Sequence, residues 1–237
     1  MERIEERLEN LRRRMSAAAR SAGRPPERIR LVAVSKTVEP ARVREAMRAG
    51  QDLFGENRVQ EAMAKQAEVG PGATWHLVGH LQRNKAKQAA RLFRMIHSVD
   101  SVELLRELER HAAGREAPLE VLVQVNLAGE AGKQGARREE LPEILAAGAG
   151  MQHIQVAGLM ILPPFHPDPE RSRPFFRELA ELAKDLGKRG YENVSLRELS
   201  MGMSEDFEVA IQEGATLIRI GRALFGERLP AARKEPS

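Results

Sequence analysis

LVAVSKT, residues 31–37, is a run of five apolar or small residues that ends on a lysine and a threonine. Its length suits a buried strand, and the lysine that closes it is one of only eight among the chain's 38 basic residues. A lysine in that place is either a solvated strand end or a chemical handle. The choice turns on what the rest of the chain builds around it.

Seven more apolar runs follow. With the first taken as 29–36, they lie at 52–57, 74–81, 95–99, 119–127, 154–162, 194–200 and 216–220. Segments of helical period separate them, such as Val43, Ala46 and Met47, or Leu179, Leu182 and Leu186. This alternation predicts an α/β fold of parallel units, and a count of eight predicts closure into a (β/α)8 TIM-type barrel. Ahead of the first strand, Ile4, Leu8, Leu11 and Met15 form one apolar stripe, predicting an additional N-terminal helix over 1–22. Its glutamates come early and Arg12 to Arg14 late, as the helix dipole favours, and Gly23 with Pro25 and Pro26 ends it. The stretch LPPFHPDPERSRP (162–174) reads as a long loop after the sixth strand. No linker or shift in composition marks a boundary, so one domain is expected over 1–237, with 229–237 as a C-terminal tail.

Composition narrows the function classes. A hydrophobic share of 42% against 30% charged is ordinary for a globular chain of 237 residues with a sizeable core. The absence of cysteine excludes disulfides, cysteine-zinc sites and thiol catalysis. MERIEERLEN has no apolar core of a secretory signal, and VAGLMIL is too short to span a bilayer, so a cytoplasmic location without membrane contact is expected. The net charge is only +4. Arg83, Lys85, Lys87, Arg91 and Arg94 cluster, but no aromatic residues interleave with them, which favours a solvated helix face over nucleic-acid binding.

In a barrel of this kind the active site lies at the carboxyl ends of the strands, and phosphate is often held after strands seven and eight. Closure sets strand one beside strand eight, at about 4.8 Å, so Lys36 would stand next to such a site. Two turns supply it. LSMGMSEDFEVAIQEG (199–214) follows strand seven, with Gly202 for backbone freedom and Ser204 as the expected helix N-cap. IRIGRALFGE (218–227) follows strand eight, with Gly221 ending the strand before a short helix. Backbone N–H groups in such turns attract anions. Glu205 and Asp206 count against an anion in the first of them.

A lysine beside a phosphate site suits a phosphorylated aldehyde. The amine forms a Schiff base only when neutral, and desolvation with a nearby cation such as Arg219 lowers its pKa from about 10.4. Pyridoxal 5′-phosphate (PLP) is the compound that uses all three features. Arg219 either faces the ring nitrogen or is a barrel-interior arginine paired to a carboxylate. Asn57, at the end of strand two, either hydrogen-bonds the ring hydroxyl or caps the next helix. His76 and His80 share a strand and would lie about 13 Å apart, too far to chelate one metal ion, so no metal is expected. His80 at the strand end would border the site. GEAGKQG (129–135) imitates a P-loop, but Leu127 stands where a glycine is required and Gln134 replaces Ser/Thr. Lys133 is therefore read as a loop lysine.

AVSKT, FGENRVQE, WHLVGHLQRNK, GLMIL and LSMGMSEDFEVAIQEGATLIRIGRALFGER, in that order, closely resemble the pyridoxal phosphate homeostasis proteins over about residues 28–228. The resemblance implies a fold like the N-terminal barrel of alanine racemase, with PLP on Lys36. It also implies phosphate contacts from the regions of Ser200, Ser204, Gly221 and Arg222, and places for Met201 and Arg219 at the cofactor. Val38 stands where some members carry a second lysine, and Leu229 with Pro230 replaces an aspartate-tyrosine pair.

The family is described as handling PLP without a known reaction, and residue types here agree. Racemisation needs a base on each face of the substrate; alanine racemases take the second from a tyrosine of an additional C-terminal domain. The only tyrosine here, Tyr191, precedes strand seven and falls at the opposite mouth. An arginine at the ring nitrogen weakens the ring as an electron sink. The expectation is a carrier that buffers PLP in vitamin B6 and amino-acid homeostasis, not an enzyme. Its partners would be PLP and PLP-dependent client enzymes, and it would be a monomer. The alternative is a weak amino-acid racemase using His80 as second base.

Overall fold

The computed structural model describes residues 3–130, 132 and 134–226. Lys133, Leu229, Pro230 and the tail at 229–237 lie outside the described residues. Eight parallel strands close into a barrel in sequence order: β1 (Arg30–Val34), β2 (Leu53–Glu56), β3 (Thr74–Leu77), β4 (Met95–Val99), β5 (Leu119–Val125), β6 (Ile154–Ile161), β7 (Val194–Ser200) and β8 (Leu217–Ile220). The (β/α)8 expectation is met strand for strand. The helices are α1 (Ile4–Ser21), α2 (Pro40–Arg48), α3 (Val59–Val69), α4 (Ala86–Leu92), α5 (Val102–Ala112), α6 (Leu141–Ala149), α7 (Arg173–Gly187), α8 (Phe207–Gln212) and α9 (Arg222–Phe225).

Alternation along each strand divides the apolar residues into two cores. Leu31 and Ala33 of β1 join the shell between the barrel wall and the helices. Val32 and Val34 join Leu53, Val78, Met95, Leu122, Met160 and Leu217 inside the barrel. The β1–β8 pairing that closes the wall sets Val32 opposite Arg219 and Ala33 opposite Ile220.

Two local expectations need correction. The proline-rich stretch after β6 is a loop only to residue 168; Pro169–Ser172 forms a 3-10 turn, and α7 starts at Arg173. Proline lacks a backbone N–H, but a helix's first turn does not need one, so Pro174 sits there without cost. Ser204 is not the cap of α8. That helix starts at Phe207, because residues 203–206 close a turn in which the Asp206 carboxylate accepts from the Met203 N–H at 2.7 Å. The expected N-terminal helix is present as α1, and it packs on α2, α8 and α9. With α8 only six residues long and α9 only four, it completes the helical ring where the last repeats are short.

The basic cluster at 83–94 is largely exposed on α4 and its flanks, while Ala86, Ala89 and Ala90 form the buried face. No helix among the described residues is long and apolar enough to cross a membrane.

Candidate functional site at the carboxyl mouth of the barrel

A cavity of about 720 Å³ opens at the carboxyl ends of the strands. Its wall includes Val34, Lys36, Asn57, Val78, Leu162, Phe165, Met203, Ser204, Glu205, Arg219, Gly221 and Arg222. Strand-end residues from both halves of the barrel thus meet around one space. Phe165, at 72% exposure, stands at its rim. A volume of this size suits a small cofactor.

A cavity of about 700 Å³ lies at the opposite mouth, but its arginines are already engaged. Arg30 pairs with Glu198 at 2.9 Å, Arg94 with Glu120 at 3.7 Å, and Arg12 donates to the carbonyls of Ala49 and Gly50. At the carboxyl mouth Lys36, Arg219 and Arg222 line one space with Glu205, the one carboxylate among the described lining residues, which holds Arg222 at 2.6 Å. Three basic residues to one acidic in that lining suit an anion better than a cation.

Lys36 lies in the turn two residues beyond β1, half-buried, and not in the strand. The residues on either side of it are pinned. Ser35 donates its hydroxyl to Glu56 Oε1 at 2.6 Å, and its carbonyl accepts from Lys65 Nζ at 2.5 Å. The Thr37 N–H donates to Glu61 Oε1 at 2.5 Å, holding Thr37 at φ +61°. A β-branched residue enters that left-handed region only under constraint. Lys65 Nζ also meets Glu56 Oε1 at 2.6 Å, both side chains being buried. Burial pushes the Glu56 carboxyl up, against the hydrogen bonds from Lys65 and Ser35. Its Oε2 is buried without a hydrogen-bond partner among the described residues.

Arg219 sits at the floor of the cavity and is 5% exposed. It donates through Nη1 to Ser200 Oγ at 2.5 Å and through Nη2 to the Ile161 carbonyl at 2.8 Å. Burial pushes it down to about 10, so it stays a cation at neutral pH. Among the described residues it forms no salt bridge, which corrects the reading of it as a carboxylate-paired interior arginine.

The other sequence-derived candidates divide. Asn57, Ser204, Gly221 and Arg222 line the cavity beside Lys36 and Arg219. Asn57 does not cap α3; Arg58 holds that position. Gly79 packs so closely on Asn57 that a Cβ would lie 2.4 Å from its carbonyl oxygen, which fixes the loop after β3 against the one after β2. The Ser204 hydroxyl accepts from the Ala223 N–H at 3.3 Å and ties together the turns after β7 and β8. Ser200 is fully buried below the cavity and reaches it only through Arg219. Met201 is also fully buried, packs in the outer core, and does not line the cavity. His80 is exposed and outside the lining, because β3 ends at Leu77 and the chain has already turned away.

Two features were not foreseen. One is the Glu56–Lys65–Glu61 cluster that pins the residues flanking Lys36. The other is a file of buried polar side chains inside the barrel, His76, His97, Ser200 and Arg219.

Residues 7–229 match the family model described as alanine racemase, N-terminal domain. The pyridoxal phosphate homeostasis protein of Aquifex aeolicus is 43% identical over 224 residues, covering 94% of this chain and 97% of that relative. Among solved structures, PipY of Synechococcus elongatus PCC7942 with PLP bound superposes with a TM-score of 0.80 at 41% identity, covering 94% of this chain and all of that one. Alanine racemase from Corynebacterium glutamicum gives a TM-score of 0.64 at 18% identity, covering 96% of this chain but 63% of the racemase. At that identity the likeness concerns the barrel alone. On these matches, joined to the closed barrel and its motifs in order, the chain belongs to the pyridoxal phosphate homeostasis protein family.

Proposed function

We propose that this protein binds pyridoxal 5′-phosphate at the carboxyl mouth of the barrel, holds it through Lys36, and releases it to apoenzymes that require it. The observation that carries this reading is the convergence of Lys36, Arg219 and Arg222 on one cavity of cofactor size. PLP bears the two groups this cavity is built for, an aldehyde and a phosphate. When bound, it supplies a carbonyl with which the Lys36 amine condenses, one water leaving. Ser204, Gly221 and Arg222 would hold the phosphate, where β1 and β8 run side by side. Arg219 would face the ring nitrogen and, as a cation, would keep it unprotonated. Asn57, from the neighbouring strand end, would hydrogen-bond the ring hydroxyl.

Carrying rather than turnover is favoured by the residues around this cavity. Among the described residues lining it there is no histidine, tyrosine or second lysine. Tyr191 precedes β7 and belongs to the opposite mouth. A racemase needs a proton acceptor on each face of its substrate, and an arginine at the ring nitrogen weakens the electron sink. We take the carrier to act as a monomer.

The test pairs two assays on the protein loaded with PLP. It should restore activity to a PLP-requiring apoenzyme, and alanine incubated with it in D2O should gain α-deuterium no faster than with free PLP. Exchange well above that background would replace the carrier by a racemase-like enzyme. Failure to reactivate any apoenzyme would remove the delivery role.

A further inference from the structure

His76 on β3, His97 on β4 and Ser200 on β7 are 2%, 0% and 0% exposed, inside a barrel that is otherwise mostly aliphatic. His76 Nδ1 lies 2.9 Å from His97 Nε2, and His97 Nδ1 lies 2.8 Å from Ser200 Oγ. The same oxygen accepts from Arg219 Nη1 at 2.5 Å. β3 and β4 are neighbours, but β4 and β7 are not, so the file crosses the lumen. It begins at His76 in the wall of the N-terminal cavity and ends at Arg219 in the floor of the carboxyl one.

The protons along this file have one consistent arrangement. A guanidinium only donates, so Ser200 Oγ accepts from Arg219. The hydroxyl must then place its own proton, and the partner left to it is His97 Nδ1. His97 therefore carries its proton on Nε2 and donates to His76 Nδ1, and His76 carries its proton on Nε2. The opposite arrangement, His97 with Nδ1–H, would leave the Ser200 hydroxyl proton buried without an acceptor, at real cost in so dry a place. Burial, followed by the charges of Arg30 and Arg94, holds His76 neutral, pushed down to about 3. Burial, then His76, Arg219 and Arg30, also keeps His97 well below the usual histidine range.

We propose that His97 and His76 are positioning residues for Arg219: through Ser200 they fix the plane of its guanidinium, and that cation in turn locks both imidazoles in the Nε2–H tautomer. This deepens the PLP reading of the carboxyl cavity and rests on it for its effect on cofactor retention, but not for the tautomers.

Nitrogen-15 NMR of histidine-labelled protein without cofactor tests the tautomers, with signals assigned from the His76→Asn and His97→Asn variants. Both histidines should show a protonated Nε2 and a bare Nδ1 from pH 6 to 8. A protonated Nδ1 on His97, or an imidazolium in that range, would overturn the proposal. The action through Arg219 is read from PLP dissociation rates of the full-length protein. His97→Leu should release PLP roughly tenfold faster. His97→Asn, whose Oδ1 is as many bonds from the backbone as Nδ1 and can accept from Ser200, should stay within about twofold of wild type. In an Arg219→Gln background His97→Leu should add nothing further. Additive losses, or equal losses for Leu and Asn at matched thermal stability, would overturn a role through Arg219. Should no PLP attach at Lys36 at all, the function fails while the tautomer result still decides the relay.

Discussion

Lys36 is held by its neighbours, and that is where the residue scale is most informative. Ser35 and Thr37 both hang from the Glu56–Lys65–Glu61 cluster, so the lysine's backbone is set by an ion pair on the helix side of the wall. Lys65→Met would leave the Glu56 carboxylate buried and uncompensated, costing about 3 kcal/mol at pH 8. The penalty should shrink toward pH 5, as the carboxyl takes up a proton, and Glu56→Gln in the same chain should recover most of it. Urea denaturation measures this; a loss under about 1 kcal/mol at pH 8 would mean that the cluster is not what sets the turn. Lys36 was legible in the sequence because an isolated lysine closes an apolar run. The cluster was not. Glu56 looks like any strand-end polar residue, and Lys65, four positions after Glu61, looks like half of a solvated helix pair. Only the packing of α3 against β2, with Lys65 reaching the Ser35 carbonyl just after β1, turns that lysine inward.

At the scale of elements, the strands were readable as eight apolar runs, while their ends were not. β1 and β3 stop earlier than their apolar runs do, at Val34 and Leu77, which moves Lys36 into a turn and carries His80 out of the site. Apolar runs continue past a strand wherever the following loop packs on the barrel, as Val78 does. His76 was legible only as half of a failed metal motif. Its partner His97 lies 21 residues away on the next strand, beyond the reach of any local pattern. The buried histidines carry a pH signature. Unfolded histidine takes up a proton near pH 6.5, whereas His76 and His97, facing each other, Arg30, Arg94 and Arg219, stay neutral in the fold. Their stabilising contribution is therefore complete above pH 6.5 and is lost as pH falls toward the folded value, about 3 for His76. Each contributes a slope of up to about 1.4 kcal/mol per pH unit. His97→Asn should flatten the loss of stability between pH 6.5 and 5 by about that much relative to wild type. Parallel curves would show that His97 takes a proton in the native fold.

At the scale of the whole molecule, two closures matter. The first is the helical ring, completed by α1. Leu8 and Leu11 of this helix are 1% and 2% exposed, so Leu8→Ala should cost about 2–4 kcal/mol of unfolding free energy. An appended helix would lose under 0.5 by the same denaturant titration, and that result would contradict its place in the ring. The stripe of α1 was plain from its sequence; what it covers was not, because the shortness of α8 and α9 becomes visible only once their turns have formed. The second closure is β1 against β8, which carries Lys36, at the start of the chain, to Arg219, Gly221 and Arg222, at its end. A count of eight strands was enough to foresee that meeting. The cross-lumen file from His76 to Arg219 was beyond sequence reasoning, since it depends on which side chains face inward at one level of the barrel.

The most direct measurement of the central claim is borohydride reduction of the protein saturated with PLP, followed by peptide mass mapping. The account predicts one pyridoxyl group, on Lys36, and its loss in Lys36→Ala with no other lysine taking its place. A label scattered over Lys85, Lys87, Lys184 and Lys188, or none at all, would contradict it and leave Lys36 an ordinary half-buried residue of the turn after β1.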